Sequence, residues 1–415
     1  MLSERKIYFW IPLLTEILAL YNSILIGFGV RYSYLFCIIL GLLFFLRKRI
    51  LCKSKTYFFS IAIYVVSVVL SSSLFFLSEF NFSVVMGTVI YILPLFYWLL
   101  YDDIKVSLYF PQIIMGLKYP VLLVAILGVV QFYISPNLFG IINLSDVVDP
   151  YVVKASSDIF SNWVFYLRAT SILTSPQVYG LFMVLYAISF FIYARRSVSN
   201  LIILSMYLFA GAHSGNKSFF LILLLYGGYY LMKTGGVKSK IGVLFILISL
   251  LLVVIYFADE VSFLSRIISV DNFADEEKEG RLSIYKNLLA DLSFLGEGAG
   301  AHMALSGELS DQPAESYFLQ VLIELGIIPF ISFLSIFVFN YIKNGKKINI
   351  MLFFIALSMG FVHCFNGFVF FIMWGWFFIF PPSINIGKHT VLSYCIKCSV
   401  CYLLLFLSIM LKIML

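Results

Sequence analysis

The chain has 415 residues, of which 62% are hydrophobic and only 12% are charged, and its mean hydropathy is +1.01. Soluble globular domains do not reach this apolar content, so the composition excludes an ordinary water-soluble enzyme. The net charge of +7 comes from short basic clusters between apolar runs, which favours membrane orientation over a nucleic-acid-binding patch. We therefore predict an all-α polytopic membrane protein.

The membrane-spanning segments are predicted from apolar runs of about 20 residues, the length that crosses a bilayer. Assigning the basic clusters to the cytoplasm gives about 12 or 13 spans. Their predicted ranges are 8–29, 32–46, 56–78, 82–101, 119–135, 172–193, 199–212, 218–232, 241–258, 316–341, one or two within 349–383, and 391–413. Residues 104–118 predict a bent interfacial helix. We expect residues 1–415 to form a single membrane domain.

Two long polar segments fall on the outer side of the membrane in this topology. Residues 136–170 form the first extracytoplasmic loop, and residues 259–315 form a larger one with twelve of the 21 acidic residues. Charges and glycine backbone cannot face lipid, so both loops must be aqueous. Leucines at three- and four-residue spacing predict an amphipathic helix over 281–295 that ends at Gly296. Gly296, Gly298 and Gly300 then offer a backbone that can approach a ligand or another helix closely.

The candidate functional side chains lie in or beside these outer segments. An arginine at an outer interface opposes the usual charge distribution and suits bidentate capture of phosphate, although a snorkelling arginine is the simpler alternative. A loop histidine is a candidate acid or base, and a carboxylate at a helix start is either a base or a favourable helix-dipole contact. The candidate catalytic residues are Arg168, Arg281 and Glu315, and the candidate substrate-binding residues are Arg168, Arg281, Lys217, Arg266 and His302.

Two further features lie inside predicted spans. Glu324 is an ionisable residue within the predicted span 316–341, where a charge is costly and usually has a function. Ser175–Pro176 predicts a kink within the span 172–193. Motifs of nucleotide-binding proteins, zinc proteases and serine hydrolases are absent from the sequence, so we predict neither a metal nor a cofactor.

The order of the motifs resembles a known family. The chain carries Arg168, Ser175–Pro176, Gly180, HSGNKS, Gly280–Arg281 with Tyr285, GEGAG and AESYFLQVLIELGI. Together these are similar to the O-antigen polymerase (Wzy) and O-antigen ligase superfamily, over roughly Arg168 to Phe330. The resemblance implies a GT-C-like glycosyltransferase in the bacterial inner membrane, with a large extracytoplasmic loop between two late spans. Its active site would face the periplasm.

The resemblance also implies roles for individual residues. Arg168 and Arg281 would hold the pyrophosphate of an undecaprenyl-pyrophosphate-linked oligosaccharide, and Lys217 is a candidate third cation. The ligases carry a histidine where this chain has Glu315–Ser316, which favours a polymerase, with Glu315 as candidate base. The alternatives are a ligase that transfers glycan to lipid A core and a transporter or flippase of lipid-linked oligosaccharide. The expected partners are the lipid-linked oligosaccharide, membrane lipid and a candidate chain-length regulator protein, without nucleic acid.

Overall fold

The computed structural model describes thirteen stretches of the chain, and every structural statement below concerns these residues. They are residues 6–21, 55–78, 88, 91–92, 103–134, 138, 169–173, 175–234, 236, 292–294, 296–299, 316–343 and 348–359. Most of the described residues are helical and none of them lies in a β-strand.

Ten α-helices occur in the described part of the chain, and we number them in chain order. A short π-helical turn, Lys6–Trp10, precedes the first of them. The helices are α1 (Ile11–Leu20), α2 (Lys55–Ser78), α3 (Asp103–Gly116), α4 (Lys118–Tyr133), α5 (Pro176–Tyr193), α6 (Val198–Ala212), α7 (Lys217–Thr234), α8 (Tyr317–Leu325), α9 (Ile327–Lys343) and α10 (Ile350–Met359).

Helix α5 is long and apolar enough to cross a membrane, and 72% of its 18 residues are buried inside the molecule. The segments Val106–Gly116 and Lys118–Tyr133 are separated by a bend of 45°, and taken together they are also long and apolar enough to cross a membrane. The described residues thus contain one candidate span, or two if the bent pair is one span. A buried core helix of a soluble protein meets the same test, so the 12 or 13 spans stay a prediction.

Backbone contacts divide the chain into two compact units. Unit 1 consists of Met1–Asn22, Gly29–Ile113 and Val270–Pro381, and unit 2 consists of Ser23–Phe28, Ile114–Ser269 and Pro382–Leu415. Within unit 1, α2 packs against α9, and α8 packs against both. Within unit 2, α6 packs against α4 and α5, and α7 packs against α5. The single membrane domain over 1–415 stays a prediction.

Helix α5 is the core of unit 2. Every side chain from Tyr179 to Phe190 is buried, which is the pattern of a helix enclosed by other helices rather than one with a single apolar face. The Tyr186 hydroxyl donates to the carbonyl oxygen of Ile114 at 2.7 Å. The Tyr207 hydroxyl donates to the carbonyl oxygen of Lys118 at 2.6 Å. These bonds fix α5 against the last turn of α3 and α6 against the start of α4.

Three predicted boundaries are wrong. Helix α5 begins at Pro176 instead of residue 172, and Ser175 is its N-cap, so Ser175–Pro176 starts the helix and does not kink it. The predicted span 316–341 is interrupted at Gly326, which separates α8 from α9. Residues 292–294 are not helical, so the helix predicted over 281–295 does not reach its predicted end. Residues 281–291 lie outside the described residues.

The segments predicted at 56–78 and 199–212 are helical, and the ends of α2 and α6 agree with these ranges within one residue. Helix α7 is slightly longer than its predicted 218–232, and α4 closely matches the predicted 119–135. The segments predicted at 32–46, 241–258 and 391–413 lie outside the described residues.

Candidate functional site

One of the six predicted site residues, Lys217, lies in the described part of the chain. Arg168, Arg266, Arg281, His302 and Glu315 lie outside it, so their predicted roles stay predictions. Lys217 is the first residue of α7, and its side chain is exposed.

The turn before Lys217 is held by its own side chains. The Ser214 hydroxyl donates to the carbonyl oxygen of Gly211 at 2.6 Å. Gly215 has φ of +60°, which most residues adopt only at a cost. The Asn216 side-chain oxygen then accepts from the backbone N–H of Ser218 at 2.9 Å, which caps α7. Lys217 is therefore presented from a rigid turn.

The same turn connects the start of α7 to the start of α5. The Asn216 side-chain amide donates to the carbonyl oxygen of Gln177, in the first turn of α5, at 2.8 Å. Gly180 makes this approach possible, because a Cβ atom there would lie 2.9 Å from the Cβ of Asn216 and even closer to the Ser214 hydroxyl. The N-terminal ends of two helices therefore lie side by side.

A third segment, the residues that follow Arg168 in the sequence, also lies at this turn. The backbone N–H of Ala169 donates to the carbonyl oxygen of His213 at 2.9 Å. The side-chain oxygen of Gln131 accepts from the N–H groups of Thr170 and Ser171 at 2.8 and 2.7 Å. All three of these polar residues are fully buried. Residues 169–173 are thus held between α4 and the turn; together with Ser175 and residues 213–217 they form what we call the Lys217 end of unit 2.

His213 has a structural role at this end. Its Nδ1 lies 2.7 Å from the carbonyl oxygen of Phe209, and its Nε2 lies 2.8 Å from the Tyr133 hydroxyl. A carbonyl oxygen only accepts, so Nδ1 carries a proton and, in the neutral ring, Nε2 accepts from Tyr133. The ring is buried and also contacts Phe132 and Phe209 at centroid distances of 4.4 and 4.5 Å. His213 therefore holds α4, α6 and the turn together.

The electrostatic character of the Lys217 end is positive. The N-termini of α5 and α7 both lie here, and each carries the positive end of a helix dipole. Lys217 adds a full charge. The described residues of unit 2 contain no Asp or Glu. Phosphate groups bind favourably at such helix N-termini, and a lysine strengthens the attraction.

A second polar cluster lies inside unit 1 around Glu324, which is fully buried near the end of α8. The Tyr91 hydroxyl donates to Oε2 of Glu324 at 2.7 Å, and the Gln320 side-chain amide donates to Oε1 at 3.0 Å. The Ser71 hydroxyl of α2 donates to the backbone carbonyl of Glu324 at 3.1 Å. Glu324 therefore joins α8 to the Tyr91 segment through its carboxyl and to α2 through its backbone carbonyl.

The glycine-rich segment ends at the same place. The N–H groups of Glu297 and Gly298 donate to the carbonyl oxygens of Ile323 and Glu324 at 3.0 and 2.9 Å, which caps the C-terminus of α8. Gly296 and Gly326 have φ of +74° and +89°, and their backbones touch, so a Cβ on Gly326 would lie 2.7 Å from the Gly296 nitrogen. Of the two partners predicted, a ligand or another helix, Gly296 and Gly298 approach a helix, α8. Gly300 lies outside the described residues.

No protein-family model matches the chain, and no curated protein matches it. The likeness to O-antigen polymerases therefore rests on the motifs in the sequence and stays a resemblance. Within the described residues, no group of three or more His, Cys, Asp or Glu side chains could hold a metal ion.

Sequence reasoning identified Glu324 but missed the residues around it. Tyr91 lies 233 positions earlier and Ser71 lies 253 positions earlier, and no local pattern links such distant residues. Gln320 had a readable signal, because it lies one helical turn before Glu324 and positions four apart share a helix face. For Gln131, the sequence shows only an amide side chain inside an apolar run, which does not predict its bonds to residues 170 and 171.

Proposed function

We propose that this chain is a membrane-embedded polysaccharide polymerase. It would transfer a growing glycan from undecaprenyl pyrophosphate to the end of a lipid-linked repeat unit, as in O-antigen or capsule synthesis. The observation that carries the proposal is the 2.9 Å hydrogen bond from Ala169 to His213. It joins the segment after Arg168 to the HSGNKS turn, and these are the first and fourth of the motifs in the family resemblance.

The chemistry fits an end of the protein that attracts anions. The acceptor hydroxyl attacks the anomeric carbon of the donor sugar, and a new C–O bond forms as the bond to the pyrophosphate oxygen breaks. The departing pyrophosphate keeps the electron pair, and the hydroxyl proton passes to a base, for which Glu315 is our candidate. Lys217 and the two helix N-termini would stabilise the negative charge that develops on the leaving group. Arg168 and Arg281 are the further cations that the family resemblance implies.

The rigidity of the Lys217 end supports this role. Electrostatic stabilisation is effective when charges and dipoles are fixed before the reaction, since little reorganisation is then needed. Asn216, Gly215 and Gln131 fix the turn and the segment after Arg168 through the hydrogen bonds and the backbone geometry described above. The donor pyrophosphate already holds the energy for transfer, so no cytoplasmic nucleotide site is required.

A transporter of lipid-linked oligosaccharide is the second candidate, because the structure contains interrupted helices. Helices α8 and α9 are separated at Gly326 beside the buried Glu324, and α3 and α4 meet at a bend of 45°. Discontinuous helices with polar groups at the break are typical of transporter substrate sites. The ligase alternative differs from the polymerase in its acceptor, lipid A core.

Purified full-length protein in vesicles, given the lipid-linked repeat unit alone, separates the three functions. A ladder of products that differ by one repeat unit supports the polymerase. Movement of the repeat unit across the bilayer without a new glycosidic bond contradicts it and supports the transporter. Products that form only when lipid A core is added support the ligase.

A further inference from the structure

Among the described residues of unit 2, most of the positive charge lies at the end opposite Lys217. The described residues of unit 2 contain five lysines and arginines, and four of them lie at this opposite end. Helix α4 begins there, α5 ends there, α6 begins there and α7 ends there. We call this surface the Arg195 end, and it consists of Lys118, Arg195, Arg196 and Lys233 with their neighbours.

Hydrogen bonds and a ring contact join the segments that carry these cations. The Lys118 ammonium donates to the Asn200 side-chain oxygen at 2.8 Å, and the Asn200 amide donates to the carbonyl oxygen of Arg195 at 2.7 Å. On the other side, the rings of Phe191 and Tyr230 meet at 5.2 Å, which joins the end of α5 to the last turns of α7 before Lys233. The start of α4, the connection between α5 and α6, and the end of α7 therefore belong to one packed assembly.

Exposed apolar side chains are interleaved with these cations. Tyr119 is 68% exposed, and its ring lies 5.1 Å from the Lys118 ammonium. Val198 and Ile202, which follow Arg196 on α6, are 70% and 65% exposed, and Met232 beside Lys233 is 66% exposed. A surface for nucleic acid or for an acidic soluble protein has no need of such aliphatic groups. Cations beside exposed apolar and aromatic groups are typical of a lipid headgroup region.

We propose that the Arg195 end binds the phosphate headgroup of anionic phospholipid, with Tyr119, Val198, Ile202 and Met232 in contact with the acyl chains. The proposal relies on the membrane location in the proposed function but not on glycosyl transfer. Arg195 and Lys233 are exposed and supply charge to the lipid phosphate, while Lys118, held by Asn200, contributes from a half-buried position. The Lys217 end has one of the five described cations of unit 2, so we expect the first anionic phospholipid to bind at the Arg195 end instead.

The test is native mass spectrometry of the purified full-length protein in detergent, titrated with phosphatidylglycerol or with phosphatidylcholine. We expect the first phosphatidylglycerol to bind at least tenfold more tightly than phosphatidylcholine and to be released by high salt. Arg195→Gln and Lys233→Gln should each weaken phosphatidylglycerol binding about fivefold, and the double variant about 25-fold. Lys217→Gln is the matched control at the other end and should change it less than twofold.

Several results would overturn the lipid proposal. They are equal binding of the two lipids, an effect of Lys217→Gln as large as that of the double variant, or tight binding of an oligonucleotide or inorganic phosphate that displaces the lipid. The thermal transition of each variant in detergent shows that it is folded, and Tyr119→Ser offers a second variant that leaves all charges in place and should also weaken binding. Glycan polymerisation is not part of the readout, so failure of the lipid proposal and failure of the proposed function are distinguishable.

Discussion

The hydroxyl of Tyr91 donates a 2.7 Å hydrogen bond to Oε2 of Glu324, a carboxyl that is fully buried inside unit 1 and lies 233 positions later in the chain. A buried carboxyl is costly unless donors surround it, so this bond stabilises the packing of distant segments.

Tyr91→Phe should lower the free energy of unfolding by about 1–3 kcal/mol, because it removes one donor to a buried carboxyl without creating a cavity. Thermal unfolding of the purified protein in detergent measures this. Tyr119→Phe is the control, since Tyr119 is 68% exposed, and it should change stability by about 0.5 kcal/mol or less. Equal melting temperatures for the two variants would contradict the role given to Glu324.

Gly326→Ala should destabilise unit 1 by about 1–3 kcal/mol. Gly326 has φ of +89° and ψ of −179°, a conformation essentially restricted to glycine, and its Cβ would collide with the backbone of residues 294 and 296. Gly227→Ala in α7 is the matched control, because nothing lies within 4 Å of its Cβ position, and it should be neutral or stabilising by up to about 1 kcal/mol. A melting temperature for Gly326→Ala at or above that of Gly227→Ala would refute the glycine contact.

Gln131→Leu should release residues 169–173 from α4. It removes the acceptor of two buried backbone N–H groups, those of Thr170 and Ser171, and leaves them without that bond. Hydrogen exchange of the peptide that contains these residues should become faster, with a loss of stability of about 2–4 kcal/mol. Gln177→Leu serves as control, because the described hydrogen bond at Gln177 uses its backbone carbonyl. Unchanged exchange in Gln131→Leu would show that this side chain does not hold the segment.

Lys217→Ala should reduce the rate of glycan elongation about 100-fold, the scale of losing one charged group that stabilises a transition state. Lys217→Arg retains the charge at the start of α7 and should recover most of the rate. Single-turnover elongation with the lipid-linked repeat unit gives both values. If alanine and arginine reduce the rate equally, the charge of Lys217 is not what the reaction uses.

Local sequence patterns predicted where helices occur better than they predicted the residues at which the helices begin and end. Helix α6 was located within one residue, because its apolar run lies between Ser197 and the HSGNKS turn. The start of α5 was wrong because Ser175–Pro176 was interpreted as a kink. A serine followed by proline is also the signature of an N-cap and a first helical residue, and the structure has that arrangement. The break at Gly326 had a similar signal, a glycine after an apolar helical run.

Long-range contacts at the candidate site could not be predicted in the same way. The bonds between Ala169 and His213, and between Asn216 and Gln177, join segments about 40 residues apart that each look like an ordinary turn or helix start. Hydrophobic periodicity reports which face of a helix is buried, but not which neighbour buries it. The sequence therefore predicted Lys217 as a candidate at the start of a helix, without predicting that the N-terminus of α5 lies beside it.

The central claim is that cations at the outer face of the membrane hold the donor pyrophosphate during polymerisation. Its most direct test is elongation of the lipid-linked repeat unit by purified wild-type protein, by Arg168→Ala and by Arg281→Ala, with equal amounts of each protein in the membrane. The proposal predicts a ladder of products from the wild type and almost none from either variant. Full-length polymer from Arg281→Ala, or a wild-type protein that forms no glycosidic bond, would contradict it.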